Sequence, residues 1–349
     1  MTHPPLGASE PSGPGPAVVD PRLVPPHLRP ALPVEDRDYF AFWRAPRYRW
    51  WKSLLALAMG GFLAATVMIA LPLVGLLVDG ADLGELASTG AIEVGPGLFL
   101  GNNIALALCV PIALLVQWAC VQQPPGWLSS VEGRLRWRWL AVVALTILPL
   151  WILLVGGQLL IEPPTDARWR DYSAVMIVGI LLTTPLQAAG EEYLVRGLLG
   201  RIVASWFSAP ALGFAASTAM TAWVFMLLHG AGDPWLNAFY VLFGVACSWL
   251  TWRTGGLEAA IALHVVNNVL SEALLPFTDF SDLFDREAGV ADATMLIQLA
   301  AVAAAVAVVE HLARRRRPVR ASAPARPFGA AHSASPPFGT PAGEVPQGW

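Results

Sequence analysis

Eight runs of apolar residues, most of them about twenty long and almost free of charge, dominate this chain of 349 residues. They lie near 53–78, 98–121, 139–160, 173–200, 211–229, 235–252, 256–274 and 293–312. A hydrocarbon layer about 30 Å thick asks for roughly 20 residues of helix, so runs of this length predict membrane spans. Lipid offers the backbone no hydrogen bonds, which leaves helices or closed barrels. Barrel strands would alternate apolar and polar residues, and these runs do not. The predicted fold class is therefore all-α, a polytopic transmembrane helical bundle of about eight spans. The sixth and seventh runs are short and joined only by Arg253 to Gly255, which predicts a helical hairpin.

Composition narrows the function classes. Hydrophobic residues make up 55% of the chain and charged ones 13%, against about 25% charged in soluble proteins. This excludes a soluble globular enzyme and a disordered regulator. A net charge of −3 creates no field that would draw nucleic acid, so no such partner is expected. Cys109, Cys120 and Cys247 all lie in apolar runs and form neither a disulfide framework nor a metal-ligand pattern.

The flanks read differently. Residues 1–37 are rich in Pro and Gly and cannot bury a core, so a disordered tail is expected over about 1–45. No apolar run follows a basic start there, so it does not read as a signal peptide. A second tail, basic and then Pro- and Ala-rich, is expected over 314–349, leaving 46–313 as the membrane domain. With the N-terminus inside, nineteen of the 22 Lys and Arg residues fall on the cytoplasmic side, among them Arg134, Arg136, Arg138, Arg196, Arg201, Arg253 and Arg314 to Arg317. Only Arg168, Arg170 and Arg286 fall outside. The positive-inside rule expects such a split, and it favours both termini cytoplasmic. The Pro-rich tails and the Ala/Arg-rich usage look bacterial, so a multi-pass protein of a bacterial plasma membrane is expected.

Ionisable residues inside a membrane are costly and mark function by default. Of six histidines, His3, His27 and His332 lie in the flanks and His311 sits beside the terminal Arg cluster, which leaves His229 and His264 as the costly pair. Glu191 and Glu192 interrupt the fourth span, whereas Glu258, Glu272 and Glu310 sit near helix ends where water is within reach. The costly residues fall in three patterns: E-E-x-x-x-R from Glu191 to Arg196, F-x-x-x-H from Phe225 to His229, and H-x-x-x-N from His264 to Asn268, with Asn267 beside it. Glu192 and Arg196 stand four apart and can pair along one face. Glu191 is turned about 100° from Glu192, so one acid can pair while the other faces a cavity. Three helices can thus present Glu191, His229, His264 and Asn268 to a common interior point. One tension accompanies this convergence. Glu191 approaches the cytoplasmic end of its span, with Arg201 as interface marker, while His229 comes about 27 Å along the next helix. The site closes only if the fourth helix is long and tilted or the fifth starts submerged; Pro185 and Pro210 offer kinks.

The ordered triplet, over about residues 170–275, resembles the CPBP family, the CAAX-protease, bacteriocin-processing or Abi group that includes the type II CAAX prenyl endopeptidases. Val195 departs from the aromatic residue common there. The resemblance implies an intramembrane endopeptidase in which Glu191 and His229 activate water while His264 and Asn268 stabilise the oxyanion. Glu192, Arg196, Phe225 and Asn267 would support them. It implies a peptide or membrane-protein substrate and the lipid bilayer as partners. The cofactor is either none or Zn, the latter on Glu191, His229 and His264, since catalytic zinc takes three protein ligands and a water. Two other classes fit the same residues: a catalytically silent membrane adaptor or bacteriocin immunity protein of the same fold, and a proton-coupled transporter using Glu191 and His229 as a relay.

Overall fold

Prolines and glycines cut the apolar runs into helices. A computed structural model describes residues 24, 25, 27–82, 84, 88, 94–279, 287 and 289–326. Among the described residues the helices are α1 (Trp50–Val78), α2 (Pro96–Val121), α3 (Trp137–Ile161), α4 (Ser173–Ser205), α5 (Pro210–His229), α6 (Pro234–Thr254), α7 (Glu258–Ser271) and α8 (Met295–Arg316). Pro96, Pro210 and Pro234 open α2, α5 and α6, where a missing N–H does no harm. Asp233 caps α6 by accepting from the backbone N–H groups of Trp235 and Leu236 at 2.8 and 3.1 Å. At the other end, Gly255 adopts a left-handed φ of 70°, which ends α6 and turns the chain into α7.

All of these helices except α7 are long and apolar enough to cross a membrane. The expected all-α polytopic bundle is therefore what the chain forms. Its lipid side carries large apolar residues such as Phe62, Ile69, Leu153 and Leu182, all exposed. The exception, α7, has 14 residues, nine of them buried. It lies inside the bundle against α3 and α4 and meets α6 in the expected hairpin. Ala259, Ala260 and Ala262 keep it slim enough for close neighbours.

The depth problem resolves through the length of α4. It runs for 33 residues, about 50 Å at 1.5 Å per residue, and continues well beyond the glutamates. Arg201 is therefore no interface marker. It is fully buried, its guanidinium 4.1 Å from the centre of the Tyr39 ring, and it donates to Gln117 Oε1 at 3.2 Å. Arg196 is buried as well. From Glu192 the chain descends 13 residues to Ser205, turns, and climbs 15 residues from Pro210 to Phe225. Phe225 thereby regains the level of the glutamates, and His229 stands one turn beyond.

The expected tails contribute to the body, so the boundaries at 45 and 314 move outward. Tyr39, Phe40, Phe42 and Trp43 are buried, with Tyr39 donating to Leu128 O at 2.6 Å and Trp43 Nε1 to Gln117 Oε1 at 3.1 Å. Helix α8 continues to Arg316, and Ala321–Ser322 pairs antiparallel with Arg37–Asp38. These two short strands bring both described ends of the chain to one end of the bundle. The disorder expected for 1–23 and 327–349 lies outside the described residues, as do Arg22 and Arg286.

Glu258 was expected near water and is instead fully buried. Arg136 grips it with both arms of the guanidinium, Nε to Oε1 at 2.9 Å and Nη2 to Oε2 at 2.7 Å, and the Arg136 backbone N–H adds a third bond at 2.9 Å. This fork ties the start of α7 to the start of α3. Arg136→Ala, which strands the Glu258 charge, should destabilise the fold by about 3–5 kcal/mol. Pairing it with Glu258→Met should restore most of that loss. Unfolding midpoints in detergent micelles decide; an unchanged midpoint for Arg136→Ala would show that apolar packing alone seats α7.

Candidate active site

Helices α4 and α7 face each other along a seam of polar side chains, in register. Thr184 Oγ1 donates to Glu272 Oε2 at 2.7 Å. One turn along α4, Gln187 Oε1 accepts from Asn268 Nδ2 at 3.1 Å. A further turn brings the glutamate pair to His264. The spacing explains the register: residues 264, 268 and 272 are one turn apart on α7, and 184, 187 and 191 occupy one face of α4. Gly190 permits the close packing beside the site, since a Cβ there would fall 1.8 Å from the backbone oxygen of Leu106 on α2.

His264 bridges the two acids. Its Nδ1 is 2.9 Å from Glu192 Oε1, and its Nε2 is 3.8 Å from Glu191 Oε2. The second distance exceeds a hydrogen bond. Glu192 Oε1 also accepts from Arg196 Nη1 at 3.0 Å, and both residues of that pair are fully buried. Glu191 is the more accessible acid, 13% exposed at its side chain. Glu192 is thus the acid that pairs with Arg196, and Glu191, which accepts from Gln187 Nε2, is the more accessible one. That both acids reach the same imidazole was not foreseen, because an ideal 100° step per residue set them apart. Immediately after Glu192 the helix becomes π-helical over Tyr193–Leu199, a widened turn often found at functional sites.

Phe225 links the second histidine to this cluster. Arg196 lies 4.3 Å over its ring, and the rings of His264 and His229 have centroids 5.7 and 4.4 Å away. His229 stacks on Tyr240 with centroids 3.9 Å apart, and its Nδ1 is 2.7 Å from the backbone oxygen of Phe225. A carbonyl can only accept, so Nδ1 carries the hydrogen and Nε2 of a neutral ring is the basic nitrogen. On the far side of α7, Trp151 Nε1 donates to Asn267 Oδ1 at 3.3 Å, and Asn267 Nδ2 to Asn268 Oδ1 at 3.0 Å.

The residues expected at the site thus gather around α7: Glu191, Glu192, Arg196, Phe225, His229, His264, Asn267 and Asn268. Sequence reasoning missed Gln187, Thr184 and Trp151, and it placed Glu272 within reach of water when it is half-buried on Thr184. Gln187 and Glu272 were within reach, since they continue the helical spacing of Glu191 and of His264 and Asn268. Trp151 left no signal among fifteen tryptophans.

Among the described residues no three His, Cys, Asp or Glu side chains are grouped so as to hold a metal ion. Of the three ligands expected, His264 directs Nδ1 to Glu192 and His229 directs Nδ1 to the backbone oxygen of Phe225, so Nε2 of each ring and the Glu191 carboxylate are the atoms that would hold a metal ion.

Residues 172–270, from the threshold of α4 almost to the end of α7, match the model of a family described as type II CAAX prenyl endopeptidase Rce1-like. YyaK, an uncharacterised protein of Bacillus subtilis strain 168, is 22% identical over 184 residues, which cover 49% of this chain and 59% of that protein. The chain therefore matches less than two thirds of that relative's length. No solved structure matches. Helices α1 to α3 and α8 lie outside the family match, whereas the glutamate pair, both histidines and the asparagines lie inside it. Residues 172–270 are thus similar to the Rce1-like type II CAAX prenyl endopeptidases.

Proposed function

We propose that the protein is an intramembrane endopeptidase that hydrolyses a peptide bond with water activated by Glu191 and His229. The observation that carries this reading is the contact of His264 with both glutamates inside a lipid-facing bundle, Glu192 neutralised by Arg196 and Glu191 left partly accessible. Glu191 Oε2 takes a proton from the attacking water, with His229 Nε2 as the second acceptor. The water oxygen adds to the scissile carbonyl. The resulting oxyanion receives hydrogen bonds from His264 Nε2–H and Asn268 Nδ2–H; preorganised donors of this kind contribute about 3 kcal/mol each. Donation from Nε2 requires the imidazolium, since Nδ1 already donates to Glu192. The proton on Glu191 then passes to the leaving amine.

The substrate in this reading is a peptide or membrane-protein segment presented at the bilayer. Prenylated CAAX proteins are one class of it, and leader peptides or membrane-bound precursors are another. The end of the bundle that holds Arg136, Arg253, Arg314 to Arg316 and both described chain ends faces the cytoplasm by the positive-inside rule.

Two outcomes test the proposal. Glu191→Ala and His229→Ala should each reduce cleavage by about a hundredfold or more while the helical circular dichroism and unfolding midpoint stay near wild type. An N-terminomic comparison of membranes carrying wild type or Glu191→Ala reads this without a known substrate; identical sets of new N-termini would refute the enzyme reading in favour of a silent adaptor. The second concerns the buried pair. Arg196→Met leaves Glu192 with only His264 and should destabilise the protein by about 3–5 kcal/mol, most of it recovered in Glu192→Gln/Arg196→Met. That double variant should fold without cleaving. Full activity in it would remove Glu192 from the mechanism.

A further inference from the structure

Four hydrogen bonds run head to tail from α3 through α7 to the reactive acid on α4. Trp151 Nε1 donates to Asn267 Oδ1 at 3.3 Å, Asn267 Nδ2 to Asn268 Oδ1 at 3.0 Å, Asn268 Nδ2 to Gln187 Oε1 at 3.1 Å, and Gln187 Nε2 to Glu191 Oε1. The two ends fix the direction. An indole N–H can only donate and an ionised carboxylate can only accept. Each amide between them has a single orientation that satisfies both neighbours, and turning any one of them over breaks two bonds. Trp151 is fully buried, and Gln187 and Asn267 are 6% and 8% exposed, so water does not readily replace a broken link.

We propose that Gln187 is a positioning residue for the endopeptidase reaction, the link through which a directional amide relay anchored on Trp151 holds Glu191. The inference rests on the reading of Glu191 as general base. By occupying Oε1, Gln187 determines that Oε2, the oxygen nearer His264, is the one presented to water. By accepting from Asn268, it also fixes the asparagine whose remaining N–H serves the oxyanion. One glutamine thus sets the separation between the base on α4 and the donor on α7. Successive donation polarises each link, so removing the tryptophan anchor is felt at the carboxylate.

The relay has a readout that does not depend on cleavage. The indole N–H resonance of Trp151 in the full-length protein, assigned by its loss in Trp151→Phe, should move in Glu191→Gln, and that response should vanish when Gln187→Met is also present. A Trp151 resonance indifferent to Glu191→Gln overturns the relay, whatever the activity. In cleavage assays Gln187→Met, close to isosteric, should lower kcat roughly tenfold or more with KM within about twofold. Trp151→Phe should lower kcat in the same sense, and the double variant should be no slower than Gln187→Met alone. Losses that multiply would mean the two residues act separately, and a change confined to KM would make Gln187 a substrate contact; either result overturns the proposal. If Glu191→Ala still cleaves at the wild-type rate, the endopeptidase reading falls, while the resonance test still decides whether the relay exists.

Discussion

A charge inside hydrocarbon survives only where another group answers it. In this bundle that answer is the cluster of Glu191, Glu192, Arg196 and His264, drawn from two helices and closed by a single imidazole. Replacing a buried ion pair with apolar side chains often leaves a protein as stable or more so, which makes such a pair weak evidence for stability and better evidence for use. The rest of the architecture keeps α4 and α7 at the distance this cluster needs. Arg136 holds the start of α7 by Glu258, Gly190 lets α2 press against α4 beside Glu191, and small alanines let α7 sit inside a ring of longer helices.

The arrangement also divides labour between the acids. Glu192 is fully buried and doubly engaged, by Arg196 and by Nδ1 of His264, so it fixes an orientation. Glu191 keeps partial access and one oxygen beyond hydrogen-bond distance of His264, which suits the proton exchange proposed for it. Adjacent residues in a helix ordinarily point apart. Here the helix passes into a π-helical turn directly after Glu192, and one histidine reaches both acids.

Much of this was legible in the residues. The apolar runs gave the spans because backbone hydrogen bonds leave the chain no alternative in lipid, and the spacing in E-E-x-x-x-R and H-x-x-x-N gave the faces. Depth was not legible. Arg201, a charged residue after an apolar run, reads as an interface marker, yet Tyr39 and Phe42 cover its guanidinium. Those aromatics were hidden by their Pro-rich neighbours, so the whole stretch read as a tail. Glu258 at a helix start reads as wet because local sequence cannot reveal that Arg136, far away in the chain, comes to meet it. Gln187 and Glu272 extended patterns already noticed, whereas the part played by Trp151 depends on how α3 lies against α7.

The proposed chemistry depends on α4 and α7 meeting in register. Cysteine pairing in intact membranes measures this most directly. In a background with Cys109, Cys120 and Cys247 replaced, Gln187→Cys combined with Asn268→Cys should oxidise rapidly to an intramolecular disulfide. Val178→Cys with Asn268→Cys, whose first site is 55% exposed at the lipid face, should not. Failure of the first pair to cross-link, or equal cross-linking of both, would contradict the account.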